Sequence, residues 1–580
     1  SPDGSQVAWI AESLDGQTLK VADQKGMEQP QSFELGPDFY ELEAWHADSG
    51  RIVFSDNHLG LHFIALDDGE VETIATNTRR SGFDVSFSPD GRWLAYNLEQ
   101  PNFHADLAVY NFESGQSTTI TEGMADVASP AFDPEGKYLY FAASTNSGPI
   151  QVGLNMTSQE HPYRAGLYAA VLAADGESPL APETGDEEVD AGNGEGDAQG
   201  NGNEDSGEES NDNAEEKDAD GKDETPEVVI DFDGLQQRII GLPVAAGNYS
   251  ALQVAASGNL FYIESPQPGE SNRPPGESAA SDNQLKRFDF DKRKARTVRR
   301  GVQAFRIAAA GKHMILQISG SGLAIAETGR KIDPKRLDTS NMRMYVDPRV
   351  EWAQIFDEAW RMQQQYFYAE NLHGLDWDSV YEKYKPMVAH AGRREDLNAI
   401  LVEMIAELQV GHNRVGGGDV HREKGVGVGL LGANFEIVDG RYRLARVYSG
   451  ESWNPFLRGP LTEPGNEALE GEYILAINGE QLTAEDNVFR MLHDTEDKQT
   501  TLTVGPSADG SDARDIVVTP TGSEGALRLW NWIERNRKQV AEATDDRVGY
   551  IYLPNTAGAG YTFFNRMFFN QIDKDAVIID

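Results

Sequence analysis

A turn followed by an apolar strand returns along the first 345 residues, and this recurrence restricts the fold more than any other feature. Ser1-Pro2-Asp3-Gly4 precedes Val7-Ala8-Trp9-Ile10, and Ala47-Asp48-Ser49-Gly50 precedes Ile52-Val53-Phe54. Ser88-Pro89-Asp90-Gly91 precedes Trp93-Leu94-Ala95-Tyr96, and Asp133-Pro134-Glu135-Gly136 precedes Tyr138-Leu139-Tyr140-Phe141. Weaker copies stand at Ala256-Ser257-Gly258 and Ala309-Ala310-Gly311. The glycines at 4, 50, 91 and 136 are 46, 41 and 45 residues apart. Proline presets φ and glycine takes positive φ in such turns. A period of about 40–45 residues with four short strands per unit is the signature of a β-propeller. Six units are visible, and we expect seven blades, the seventh shared with sequence preceding Ser1.

The chain is 580 residues long, more than one core accommodates, so further domains are expected. Its net charge is -45, which argues against nucleic acid and against an anionic membrane surface as partners. No run of about 18 apolar residues is present, so no transmembrane helix is expected. With no cysteine, disulfides, thiolate metal sites and a cysteine nucleophile are excluded, and the redox compartment stays open. Residues 183–227 hold 19 Asp and Glu against two Lys and almost nothing apolar, so they read as a disordered acidic insert. Neither an EF-hand nor a Gly-Gly-x-Gly-x-Asp spacing occurs there, which argues against calcium. Pro266–Ser281 reads as a second, shorter flexible loop. His58 and His62 are four apart, but they lie in propeller strand and turn sequence and read as ordinary blade histidines. No metal or other cofactor is expected.

Between Val350 and His412 the pattern changes to helical. Trp352, Ile355, Phe356, Ala359 and Trp360 share one helical face. Trp377, Val380, Tyr381 and Tyr384 repeat it after a break at His373-Gly374, and Leu397, Ile400, Leu401, Met404, Ile405 and Leu408 form a third face. Gly411 suits the left-handed residue that closes a helix. His412 then sits on a loop just beyond it. From Gly425 the chain turns β-rich with one short helix. Leu469-Glu470-Gly471-Glu472-Tyr473-Ile474-Leu475-Ala476-Ile477-Asn478-Gly479 resembles the PDZ hallmark, an acidic glycine turn leading into a buried strand and an Asn-Gly hairpin. A PDZ domain takes an extended peptide as an added strand. Ala526–Thr544 reads as a helix with Leu527, Trp530, Ile533 and Val540 on one face. Val548–Pro554 reads as a strand, Phe563 to Ile572 as a helix and Ala576–Asp580 as a second strand, the start of a βαβ fold.

The chain resembles the tricorn-type serine peptidases. The likeness shows at Val229-Ile230-Asp231-Phe232-Asp233-Gly234-Leu235, Glu351-Trp352, Glu358-Ala359-Trp360-Arg361, Phe367-Tyr368, Asp376-Trp377, Tyr381-Glu382-Lys383-Tyr384 and Gly411-His412. It implies a multidomain order: β-propeller at 1–345, helical domain at 346–424, PDZ-like domain at 425–524 and the start of an α/β catalytic domain at 525–580. It also implies a Ser, His and Glu catalytic set in which His412 is the general base. Gly411 stands where the type member has a serine, so that orienting hydroxyl is missing here. His421, in a polar glycine-rich run, is the rival histidine. The serine, the glutamate and the oxyanion hole are expected beyond Asp580, which would leave this segment inactive alone. Further implications are oligopeptide substrates, a homo-oligomer with a hexamer as the family form, and a cytoplasmic location, with periplasmic as the alternative. The competing readings are a non-catalytic propeller–PDZ scaffold that binds peptides or proteins, and a prolyl-oligopeptidase-like hydrolase, against which the helical block and PDZ segment argue.

Overall fold

The computed structural model describes residues 1–13, 16–78, 82–146, 164–181, 226–266, 283–329, 331–556 and 558–580. Apart from their edges, the acidic insert and the Pro266–Ser281 loop lie outside these residues. Up to Arg336 the described chain forms six antiparallel sheets in succession, each a meander of neighbouring strands. The first has three strands and the other five have four. These are the six units of the repeat; among the described residues up to Arg336 there is no seventh sheet.

The recurring turns explain the sheets' regularity. Gly4, Gly91, Gly136, Gly258 and Gly311 all have φ between 69° and 75°. At Ser88–Gly91 the Gly91 N–H donates to the Ser88 carbonyl, and the Ser88 hydroxyl donates to Asp90 at 2.6 Å. The Ala47–Gly50 copy differs: Ser49, not Gly50, takes the left-handed conformation, at φ 59°. The first strands of five sheets (Tyr40–Trp45, Val85–Phe87, Asp126–Phe132, Asn248–Val254 and Val302–Ile307) line a central cavity of about 780 Å³. A bulge interrupts four of them. A bulge frees backbone groups from the ladder, and here they bond the neighbouring blade. Ser129 N–H donates to Asp84 at 2.7 Å and Ala251 N–H to the Ser129 hydroxyl at 3.0 Å. Past the bulge of its own strand, Ile307 N–H donates to Gln253 at 2.7 Å.

Three helices follow: α1 (Pro348–Tyr366), α2 (Trp377–Val388) and α3 (Arg394–Ala406). Asp347 and Asp376 cap the first two by accepting from Arg349 N–H and Ser379 N–H. The apolar faces meet around Phe356, Trp377, Leu397, Leu401 and Met404. The Trp360 and Trp377 indoles donate to each other's backbone carbonyls, at 2.9 and 3.0 Å. α1 also docks on the propeller. Arg361, almost fully buried, donates to the carbonyls of Pro37 and Asp38 and lies over the Phe39 ring.

Next comes a sheet in the order Ala433–Val438, Arg441–Val447, Tyr473–Ile477, Thr500–Gly505, Arg514–Val518, closed over Leu444, Ile474, Leu502 and Val504. The Asn-Gly hairpin forms as expected: Asn478 and Gly479 have φ 50° and 81°, and Glu480–Gln481 returns along the buried strand. The short helix is α4 (Val488–Met491). Last, α5 (Gly525–Ala543) and α6 (Gly558–Phe568) pack on the parallel strands Val548–Ile551 and Ala576–Ile579, the expected βαβ start.

Candidate active site

α3 delivers His412, though not by the cap expected from Gly411. The helix ends at Ala406, and the left-handed residues are Gln409 (φ 52°) and His412 itself (φ 65°). Two glutamine- and histidine-sized side chains take the role that a glycine would fill at no steric cost. A non-glycine residue there costs on the order of 1 kcal/mol, so the segment is held by its surroundings. Leu408 is buried in the helical core, and Val410 and Val415 pack against it on either side of the histidine. Asn398 on α3 donates to the Gly417 carbonyl at 3.1 Å and ties the loop down further along. Between these anchors His412 is exposed, and among the described residues its imidazole has no hydrogen-bond partner. An imidazole presented in this way can accept a proton from an approaching hydroxyl.

His421 is also exposed, on the same loop, where it lines a cavity of about 510 Å³ with Asp347, Arg349, Trp352, Arg394 and Asp419. His412 is not among that cavity's walls. His58 and His62 pair with separate aspartates, Asp38 at 3.0 Å and Asp56 at 2.9 Å, so their spacing does not converge on one metal. Among the described residues no group of three His, Asp or Glu side chains is arranged to hold a metal.

In the propeller cavity, burial raises the pKa of Glu43, while the Ser55 hydroxyl, donating to it at 2.7 Å, partly opposes the shift.

The PDZ-like sheet holds a feature that sequence reasoning missed. Strand Ala433–Val438 is an edge, paired only with Arg441–Val447. The residues just before such a strand are where backbone N–H groups would cradle a peptide carboxylate. Those groups are already used. Gly429 N–H donates to Leu492 and Leu430 N–H to Thr521. The Glu524 carboxylate accepts from Gly432 N–H at 2.7 Å and Ala433 N–H at 3.3 Å. Glu524 is buried, and its other oxygen accepts from Arg528 Nε at 2.8 Å. Nothing local marks Glu524 for this role, because it lies 92 residues from Gly432.

Three family models match the chain in succession. They are the tricorn protease second beta propeller domain over residues 1–329, the tricorn protease C1 domain over 348–406 and the tricorn protease PDZ domain over 429–523. His412 lies between the second and third matches. Tricorn protease homolog 1 of Streptomyces coelicolor is 26% identical over 600 residues, covering 100% of this chain and 53% of the relative. The tricorn protease of Thermoplasma acidophilum is 23% identical over 536 residues, covering 91% of this chain and 46% of the relative. A solved structure described as the crystal structure of the tricorn protease superposes with a TM-score of 0.76 at 20% identity, over 99% of this chain and 53% of that one. The chain spans about half the length of the curated relatives it matches.

Proposed function

The chain belongs to the tricorn protease family, and from that premise we propose that it serves a serine endopeptidase that degrades oligopeptides into short peptides. His412 is the general base: it takes the proton of a serine hydroxyl as that oxygen attacks the peptide carbonyl, then returns it to the leaving amine. The observation that carries this reading is an exposed imidazole without a competing partner among the described residues, on a loop pinned on both sides by the helical core. The serine and glutamate partners are assigned outside these 580 residues, so the segment alone is inactive. The propeller cavity admits and filters peptides by size. The PDZ-like edge strand holds a peptide by strand addition rather than by its terminal carboxylate, in line with the amides that Glu524 occupies. Homo-oligomeric assembly and cytoplasmic action are carried over from the family likeness alone. Among the described residues no helix is long and apolar enough to cross a membrane.

The test is cleavage of unblocked fluorogenic peptides by the full-length gene product and its His412→Ala variant. Loss of about three or more orders of magnitude in the variant supports the assignment. Equal cleavage by both proteins refutes it. A non-catalytic peptide-binding scaffold is the second reading, favoured by Gly411, which offers no side chain to orient the imidazole. It predicts no cleavage by either protein, together with capture of extended peptides.

A further inference from the structure

The hairpin at the PDZ-like edge fixes which backbone groups of strand Ala433–Val438 face outward. Its turn is Asp439 and Gly440, left-handed at φ 51° and 73°. A turn of that length makes Val438 and Arg441 a hydrogen-bonded pair, and bonded and non-bonded pairs alternate from there. Ile437 and Phe435, opposite Tyr442 and Leu444, therefore stand in non-bonded pairs. The partner strand agrees. Leu444 N–H donates to the Glu472 carbonyl and the Leu444 carbonyl accepts from Gly471 N–H, both at 2.8 Å and both away from the edge. The N–H and C=O of Phe435 and Ile437 point out of the sheet, and among the described residues nothing bonds them.

Ala433 lies two residues earlier on the same outward side, and its groups are taken. Its N–H donates to Glu524 at 3.3 Å and its carbonyl accepts from Arg528 at 3.3 Å. One acceptor and one donor on a single residue are what the backbone of an added strand supplies. The pair is held in place. Glu524 also accepts from Gly432 N–H at 2.7 Å and Arg528 Nε at 2.8 Å, with its side chain 9% exposed. Arg528 donates onward to Asn434 Oδ1 at 2.7 Å and to the Tyr448 hydroxyl at 3.0 Å, and its guanidinium lies 4.6 Å from the Tyr448 ring centroid. The first turn of α5 thus stands where a strand running on past Phe435 would lie.

We propose that Glu524 and Arg528 determine the specificity of this edge: they stand in for a strand at Ala433, so an added peptide is confined to Phe435 and Ile437 and carries apolar side chains opposite those two residues. This rests on the strand-addition reading above. Side chains directly opposite each other in a strand pair share a face. The face of Phe435 and Ile437 is apolar: Phe435 packs on the core of the sheet, its ring 6.3 Å from that of Phe489 on α4, and Ile437 and Phe489 are 51% and 48% exposed. The peptide residue between the two faces Glu436, already neutralised by Arg443 at 2.7 Å, and is free to vary. The ligand class is an extended segment of apolar–any–apolar pattern that ends or bends away at Asn434.

The test uses the full-length gene product with His412→Ala, which keeps turnover out of a binding titration. The probes are acetyl-Ser-Val-Ser-Val-Ser-amide, its all-serine counterpart, and a longer acetyl-Ser-Val-Ser-Val-Ser-Val-Ser-amide. The first should bind saturably, and the all-serine peptide about tenfold or more weaker. The third valine should gain less than about threefold, because Ala433 is occupied. Amide hydrogen exchange should be fast at Phe435 and Ile437 in the free protein and slowed by peptide, with Ala433 protected in both states. Adding Glu524→Ala and Arg528→Ala should expose the Ala433 amide, and the third valine should then gain about tenfold. If the peptides bind and slow Phe435 and Ile437, but the third valine already gains about tenfold before those two changes, strand addition stands and the confinement to two positions is overturned. Equal binding of the all-serine peptide overturns the apolar pattern. If no peptide binds, or binding leaves Phe435 and Ile437 unchanged, strand addition itself fails and this proposal with it.

Discussion

Arg361→Ala tests how the helical block is held on the propeller. The Arg361 side chain is 3% exposed. Its guanidinium donates to the Pro37 and Asp38 carbonyls at 3.0 and 3.3 Å and to Glu358 at 2.7 Å, and it lies 4.2 Å from the Phe39 ring centroid. Truncation removes these contacts, together with the Glu12 carboxylate at 3.7 Å, and leaves the largely buried Glu358 without its cation. Breaking a buried ion pair from one side costs on the order of 3–5 kcal/mol. Glu358 has a partial escape. Burial first, and then the neighbouring Glu12 carboxyl, push its pKa up to about 7 even with Arg361 opposing. Without Arg361 it holds a proton at neutral pH and avoids most of the charge penalty. What remains is two lost carbonyl bonds, at about 1 kcal/mol each, and the ring contact, at about 1 kcal/mol. The expected loss is therefore about 3 kcal/mol near pH 6, rising above pH 7 as Glu358 is forced to ionise.

A chain of several domains does not unfold in one step, so the readout is amide hydrogen exchange of the last turns of α1, residues 361–367. They should exchange about two orders of magnitude faster than in the parent, while strand Tyr473–Ile477 of the PDZ-like core is unchanged. Adding Glu358→Gln should remove the pH dependence of the defect. The reasoning is refuted if these α1 amides stay within about threefold of the parent, or if the PDZ-like strand loosens equally.

Three further outcomes follow from the same geometry. The folded pKa of Glu358 lies above the ordinary carboxylate value, so the folded chain binds more protons between the two values; stability at this junction should fall by about 2 kcal/mol as pH rises from 5 to 8, reduced from the full linkage value by solvent screening, and Glu12→Gln should flatten that slope in thermal scans. Gly450→Ala places a Cβ 1.9 Å from the Leu457 oxygen and 2.7 Å from the Leu527 side chain; calorimetry should show the PDZ-like transition weakened by about 1–3 kcal/mol. Glu524→Ala frees the Gly432 and Ala433 amides; the PDZ-like edge of the variant should gain a preference for peptides with a free C-terminal carboxylate over amidated ones, measured as the difference from the parent in a binding titration.

The legible parts of the molecule are those in which a local pattern is the cause of the structure. Glycine at the recurring turns joins the first and second strands of each four-stranded blade, and only the Ser49-Gly50 copy shifts its left-handed residue by one. The apolar faces of α1, α2 and α3 follow from helical spacing, and Asn478-Gly479 makes its hairpin because both residues tolerate positive φ. His412 was recognisable as the residue beyond a helix, but not its backbone. The cap that Gly411 promised is made instead at Gln409 and His412, because packing of Leu408, Val410 and Val415 on the core overrides the residue preference.

By itself, then, the amino-acid sequence determined the periodic elements, their order and the apolar faces they bury, because turn chemistry and side-chain period act over a few residues. Tertiary structure alone decided which charged groups meet. Arg361 reaches carbonyls 324 and 323 residues away, Glu451 meets Arg566 across 115 residues, and Glu524 fills the amides before Ala433 from 92 residues downstream. A buried charge is tolerated only where a partner is brought to it. No spacing in the chain encodes that encounter; the packing of one domain against the next does.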